Sequence, residues 1–180
     1  YLDVGKYEDA ERLLDLLAQR YPYDSNMEQI RFLLARVYLG KGESARAVRE
    51  FERLRESNPF SRYVPESTYY LALAMQKEGK RDRAIEMLKS YLTRSGGENI
   101  FQAQVTLGEL YIGSGDYQNA RKSIATILRN YRTRDGVEVE LYGLGKQLYR
   151  KDASARQYLQ QIVQWYPRSK SAGKVLILFG

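Results

Sequence analysis

Cysteine and histidine are both missing from this 180-residue chain. Without cysteine there is no disulfide framework and no thiolate zinc site, an economy that suits an oxidising envelope compartment. Without histidine the commonest general base and metal ligand is gone, which argues against hydrolase or metalloenzyme chemistry. A membrane-spanning helix needs about 20 consecutive apolar residues, and no stretch supplies them. No signal-peptide pattern is read within residues 1–180. The chain begins at Tyr1 already inside a helical pattern, so the expectation is a fragment whose targeting segment lies elsewhere. Proline is sparse, at four residues, and tryptophan occurs once.

Acidic residues are scarce in one region only. Residues 1–115 carry 17 Lys/Arg and 17 Asp/Glu, whereas residues 116–180 carry 12 against 5, so the net charge of +7 sits in the last third. Attraction to an anionic partner is therefore expected at the C-terminal end. What the chain has in abundance is repetition. Gly5-Lys-Tyr-Glu-Asp-Ala10, Gly42-Glu-Ser-Ala-Arg-Ala47, Gly79-Lys-Arg-Asp-Arg-Ala84 and Gly115-Asp-Tyr-Gln-Asn-Ala120 are copies of one phrase, and Arg150-Lys-Asp-Ala-Ser-Ala155 is a degraded fifth. The closing alanines lie 37, 37, 36 and 35 residues apart. Periods in the thirties indicate stacked helix pairs, in which each pair completes the core of its neighbour.

Each unit reads as helix, tight turn, helix. Over Met27 to Gly40, Ile30, Leu33, Leu34, Val37 and Tyr38 recur at helical spacing, and Ser25 with Glu28 suggests a capping box at the start. Gly42 suits the left-handed turn that follows a helix, and Asn58-Pro59 stops the second helix, as Tyr21-Pro22 and Tyr166-Pro167 do elsewhere. Asn99 with Gln102 and Asp135 with Glu138 are read as loose caps restarting the chain. Small residues at Ala35, Ala72, Gly108 and Gly143, and at Ala47, Ala84, Ala120 and Ala155, would let paired helices approach closely.

These residues carry a resemblance. Leu107-Gly108, Tyr111, Gly115-Asp116-Tyr117 and Ala120 resemble the tetratricopeptide repeat pattern, and Leu34, Ala35, Tyr38, Gly42, Ala47, Phe51 and Pro59 match it in the second unit. The resemblance implies an all-α, right-handed solenoid of about ten antiparallel helices in a single domain over 1–180. Its parts would be the second half of a repeat over 1–22, repeats over 25–60, 65–97, 99–133 and 135–168, and the start of a further helix over 169–180. The period is longer than the family's usual one, no first helix opens on tryptophan, and the fifth unit keeps only Gly143, Ala155 and Pro167 of the pattern.

No catalytic residue, metal ligand or cofactor site emerges. Gly143-Leu-Gly145-Lys146 lacks the spacing of a phosphate loop, and the carboxylate pairs Glu8/Asp9 and Glu138/Glu140 sit at polar helix starts where solvated acids belong. The resemblance instead implies a protein or peptide partner held on the concave wall by the first helices. There the inward position falls on Phe32, Tyr69, Val105 and Glu140, and one turn further on Arg36, Leu73, Glu109 and Leu144. Family members that hold a chaperone's C-terminal carboxylate carry lysine and asparagine at these positions, and this chain has neither. An amphipathic helix or extended segment, anchored on Phe32, Tyr69 and Val105, is the expected ligand.

At the other end Arg129, Arg132 and Arg134 form an electrostatic patch suited to an acidic protein or an anionic membrane surface. Nucleic acid is disfavoured, since no exposed aromatic platform or recognition motif accompanies them. The Tyr166-Pro167-Arg168-Ser169 ending is similar to that of bacterial cell-envelope members such as the outer-membrane assembly lipoprotein and the Tol-system coordinator. That resemblance implies the periplasm or cell envelope as location. Two other roles fit the same sequence: a self-associating building block, hence a homo-oligomer, of an envelope or motor complex, and the repeat portion of a larger enzyme or secretion component.

Overall fold

The computed structural model describes residues 6–21, 24, 26–94 and 97–180, and all regular structure among them is helical. Ten α-helices follow in order: α1 (Tyr7–Arg20), α2 (Met27–Gly40), α3 (Ser44–Ser57), α4 (Val64–Lys77), α5 (Arg81–Arg94), α6 (Ile100–Ser114), α7 (Tyr117–Asn130), α8 (Val137–Tyr149), α9 (Arg156–Trp165) and α10 (Lys170–Phe179). A single 3-10 turn, Ala153–Ala155, precedes α9. Among the described residues no helix is long and apolar enough to cross a membrane.

The chain separates into two compact units, residues 1–99 and residues 100–180. In the first, α2 pairs with α3 and α4 with α5, while α1 packs on α2 and α3 on α4. Ala35, Ala47, Ala72 and Ala84 have no exposed surface, as expected of residues at close helix crossings, and Phe51, Leu54, Leu71, Met75 and Leu88 fill the space between. In the second, α6 pairs with α7 and α8 with α9, and α10 packs on α9. Its core gathers Phe101, Val105, Ile124, Leu141, Leu148 and Leu159.

The repeated glycine has a shared geometric cause. Gly42, Gly79 and Gly115 take φ of +83°, +74° and +80°. In each turn the glycine amide bonds back to a carbonyl three residues earlier, and the next amide reaches five residues back, as from Glu43 to the Tyr38 carbonyl at 2.8 Å and from Asp116 to that of Tyr111 at 2.9 Å. This pair of bonds satisfies the last free carbonyls of the first helix and turns the chain into the second. A side chain at such a φ would meet its own backbone, so glycine recurs where the geometry recurs.

Three expected caps take other forms. Ser25 lies outside the described residues, and Glu28 does not cap α2: its carboxylate accepts from Asn58 Nδ2 at 2.5 Å and from Ser61 Oγ at 2.5 Å, joining the start of α2 to the loop after α3. Those bonds hold the Glu28 carboxyl below its ordinary range, Ser61 contributing most. Glu66 repeats the arrangement one unit on. It accepts from Tyr91 Oη at 3.0 Å and from Asn99 Nδ2 at 2.5 Å, so Asn99 closes the α4–α5 pair instead of capping α6. Burial, the largest cause, pushes the Tyr91 hydroxyl up to about 12 and keeps it a donor. Nor does Asp135 cap α8, because Gly136, at φ +76°, occupies that position. Asp116 caps α7, accepting from the Asn119 amide at 3.1 Å.

The Tyr-Pro-x-Ser ending works as a stop followed by a start. Pro167 comes just after α9, Tyr166 donates to the Arg132 carbonyl at 2.7 Å, and Ser169 Oγ accepts from the Ala172 amide at 3.1 Å to cap α10. In the fifth unit the register differs from the sequence expectation. The ninth residue of the first helix is the small one in each pair: Ala35, Ala72, Gly108 and, in α8, Gly145. A Cβ at Gly145 would lie 2.8 Å from Leu159, whereas one at Gly143 would meet nothing within 4 Å. The fifth turn lacks the glycine and the five-residue bond, and the Lys151 and Asp152 amides both bond back to the Leu148 carbonyl. Losing two residues between Gly145 and Ala155 shifts every α8 assignment by two positions.

Candidate partner-binding groove

Phe32, Tyr69 and Val105 each occupy the sixth position of a first helix and are only 8%, 6% and 7% exposed. They belong to the packing, not to an open wall. The Phe32 ring stacks on Tyr63 at 5.3 Å and meets Phe51 at 6.2 Å and Tyr70 at 5.9 Å. Tyr69 lies against Tyr70 at 5.1 Å and Tyr91 at 5.6 Å. Val105 is part of the α6–α9 core. Their row is inward but closed by neighbouring aromatic and aliphatic side chains.

The accessible row runs through the third, seventh, tenth and fourteenth positions. In α4 these are Glu66, Tyr70, Leu73 and Lys77; in α2 they are Gln29, Leu33, Arg36 and Gly40, and none of the eight is buried. The spacing of 4, 3 and 4 keeps them on one helical face. Tyr7, Arg36, Leu39, Gly40, Tyr70, Leu73, Gln76 and Lys77 line a cleft of about 300 Å³ in the first unit. Arg36 and Leu73 are thus brought together where the sequence expected them. Tyr70, Tyr7 and Lys77 were missed. Mixed polar and apolar residues along that row, next to the uniformly apolar core row, are the signal that would have found them.

Arg36 is held for contact. Its guanidinium lies 4.9 Å from the Tyr70 ring centroid and 5.8 Å from that of Phe32. Cation–π contact fixes the plane and leaves the N–H groups available, and Arg36 makes no ion pair among the described residues. Lys77 Nζ reaches the Leu39 carbonyl at 3.4 Å. Both charged groups of the cleft are cationic. Gly40 leaves room at its edge: a Cβ there would lie 2.4 Å from Tyr7 Cε1, so a larger residue would displace the tyrosine ring that closes that side.

In the second unit Glu109 is half-buried, and burial first, then the neighbouring Glu140 carboxylate, raises its pKa. Glu140 and Leu144 are not the repeat equivalents of Phe32 and Arg36. With the shortened turn those places fall to Tyr142 and Lys146, and Lys146 Nζ lies 5.7 Å from the Tyr142 ring, much as Arg36 lies over Phe32. Leu144 itself is buried at 1%. Because the folded pKa of Glu109 is raised, the folded state binds its proton more tightly than the unfolded chain does. Its stabilising contribution is therefore full in acid and is lost as pH rises through the raised value. Glu109→Gln is expected to melt higher than the parent near neutral pH, with the gap closing at about pH 4. Thermal melts at the two pH values check this; an equal or lower neutral melting point would contradict it.

Two of the three arginines of the expected basic patch rest on aromatic faces. Arg132 lies 4.2 Å from the Trp165 ring centroid and Arg134 4.5 Å from that of Phe101, while Arg129 is exposed. The tryptophan and phenylalanine supply an aromatic backing that sequence reading did not foresee. Arg121 is already committed, to Asp152. Among the described residues no group of three or more His, Cys, Asp or Glu could hold a metal ion.

A tight-turn helical hairpin repeated along the chain, with small residues at each crossing, defines a helical-repeat protein. Three family models described as tetratricopeptide repeat match residues 1–64, 66–95 and 101–132, and together they cover well over half of the sequence; the chain belongs to the tetratricopeptide repeat family. No curated protein matches it in sequence. Among solved structures it is similar to MamA from Desulfovibrio magneticus RS-1, at 17% identity and a TM-score of 0.73 over 94% of this chain and 90% of that one. A tetratricopeptide repeat protein from Parabacteroides merdae gives 15% and 0.72 over all of this chain and 70% of its own. YrrB, described as having an unusual peptide-binding site, gives 18% and 0.68 over 92% and 82%. At these identities the likeness concerns the fold.

Proposed function

We propose that the chain is a non-catalytic interaction scaffold that captures an amphipathic helix or extended peptide in the groove of its first helices, as part of a bacterial envelope assembly. The observation that carries this is the cleft of about 300 Å³ in which Arg36, clamped on Tyr70, faces Leu73 and Lys77 without a carboxylate. An uncompensated guanidinium beside apolar surface favours a ligand that offers an acidic group next to an aliphatic one. YrrB's peptide-binding site shows that a repeat protein of similar fold can hold a peptide. The periplasm or cell envelope as location rests on the Tyr166-Pro167-Arg168-Ser169 resemblance.

Arg36→Glu and Leu73→Asp are expected to weaken capture by on the order of 2 kcal/mol, the range of a central contact residue. Reversing Arg129, Arg132 and Arg134 together should mainly slow association and reduce its salt dependence. Pull-down from native extract with these variants checks the reading. If the groove variants retain the parent's partners and the triple variant loses them, the basic end is the site and this mechanism is wrong.

Self-association is a second reading with its own observation. On α10, Leu176 and Ile177 are 59% and 83% exposed, an apolar face that a second copy would cover. Light scattering of the parent and of Ile177→Glu decides it: a monomeric parent removes the reading.

A further inference from the structure

Away from the groove, α3, α4 and α5 enclose a second kind of site. Arg55, Val64, Pro65, Thr68, Ser90, Tyr91 and Arg94 line a cleft of about 90 Å³ whose only charged groups are the two arginines. Arg55 is half-buried, and its one hydrogen bond is a weak one, from Nη1 to Met87 Sδ at 3.2 Å. Neither arginine forms an ion pair among the described residues. The nearby carboxylates are engaged or open to solvent. Glu66 accepts from Tyr91 and Asn99, Glu52 pairs with Arg83 at 3.2 Å, and Glu56 is exposed on a larger neighbouring cleft that Glu52, Arg55 and Arg94 also line.

Two like charges directed to one small space are an unusual thing for a fold to keep. Burial, the largest cause, disfavours the charged form of Arg55; the Glu52 carboxylate opposes it, and Arg94 adds a smaller disfavour. A guanidinium does not deprotonate near neutrality, so a bound anion would add to the relief that Glu52 already gives. Guanidinium forks match the oxygens of phosphate and carboxylate, and two of them balance a dianion. Ser90 adds a hydroxyl to the lining, while the Thr68 hydroxyl is spent on the Val64 carbonyl at 2.9 Å. Val64 and Pro65 offer an apolar rim for the stem that carries the anion.

We propose that Arg55 and Arg94 form a binding site for a phosphate monoester dianion, on a face separate from the peptide groove. The test uses the full chain and inorganic phosphate as probe, titrated calorimetrically at constant ionic strength against chloride and acetate. One phosphate per chain is expected, with acetate and chloride much weaker. Arg55→Met and Arg94→Gln should each bind phosphate about ten- to a hundredfold more weakly, the loss of a charged hydrogen-bond partner. Lys80→Gln, at an exposed residue outside the cleft, should bind as the parent does. Methionine keeps the aliphatic stem of Arg55 and removes a half-buried charge, so Arg55→Met should melt no lower than the parent without phosphate; a residue kept only for structure would behave in the opposite way. If Arg55→Met fails to fold, the exposed Arg94→Gln still decides. O-phosphoserine and glycerol 3-phosphate, as separate competitors, distinguish a phosphorylated side chain from a headgroup, and displacement by either supports the site. Phosphate binding no tighter than acetate or chloride, or unchanged in Arg94→Gln, overturns it.

Discussion

Tyr69→Ala is expected to lower the unfolding free energy by about 3 to 5 kcal/mol, the range for removing a buried aromatic ring. Tyr69 is 6% exposed and touches the rings of Tyr70 and Tyr91, and the Tyr91 hydroxyl in turn donates to Glu66 and accepts from the Asn99 amide. Removing the ring leaves a cavity beside the bond network that closes the α4–α5 pair, and the surrounding helices can collapse only partly. From the sequence, this residue was expected to be an anchor for the bound segment on the concave wall. Urea denaturation decides between the two: a variant within about 0.5 kcal/mol of the parent would return Tyr69 to the surface.

The fold was legible because a repeat writes its geometry several times. One glycine is ambiguous, but Gly42, Gly79 and Gly115 at a fixed distance before Ala47, Ala84 and Ala120 specify a left-handed turn between two close-packed helices, and the structure places all six so. The caps were less legible. A serine three residues before a glutamate signals a capping box, yet the same glutamate can bond to anything within reach, and Glu28 is reached by Asn58 and Ser61 from 30 and 33 residues away. Local spacing does not contain that contact.

The groove was half legible. The tenth-position residues Arg36, Leu73 and Glu109 lie outside the buried core in their own helices, whereas the sixth-position residues lie inside it. The two rows are separated by one helical step, and aromatic residues such as Phe32 and Tyr69 suit a core as well as a binding wall, so residue type could not choose between them. The Arg55–Arg94 cleft was not legible at all. Its arginines are 39 residues apart, and only the packing of α3, α4 and α5 brings them to one opening.

The fifth unit offers the sharpest test of register, because two glycines two residues apart predict opposite outcomes. Gly143 lies on the accessible row of α8, where an added Cβ would have no neighbour within 4 Å, whereas a Cβ at Gly145 would stand 2.8 Å from Leu159 Cδ2 and 3.2 Å from its Cγ. Leu159 is fully buried and cannot swing aside into solvent. At Gly143 a leucine replaces a poor helix former and meets no neighbour, which should stabilise by about 0.5 to 1 kcal/mol. At Gly145 the same gain in helix propensity is outweighed by forcing α8 and α9 apart, at a cost of about 1 to 3 kcal/mol or more for a full isobutyl group. Gly145→Leu should therefore melt below the parent and Gly143→Leu at or above it. The reverse order would mean that Gly143, twelve residues before Ala155 as Ala35 is before Ala47, faces the second helix, and that the fifth turn has lost nothing.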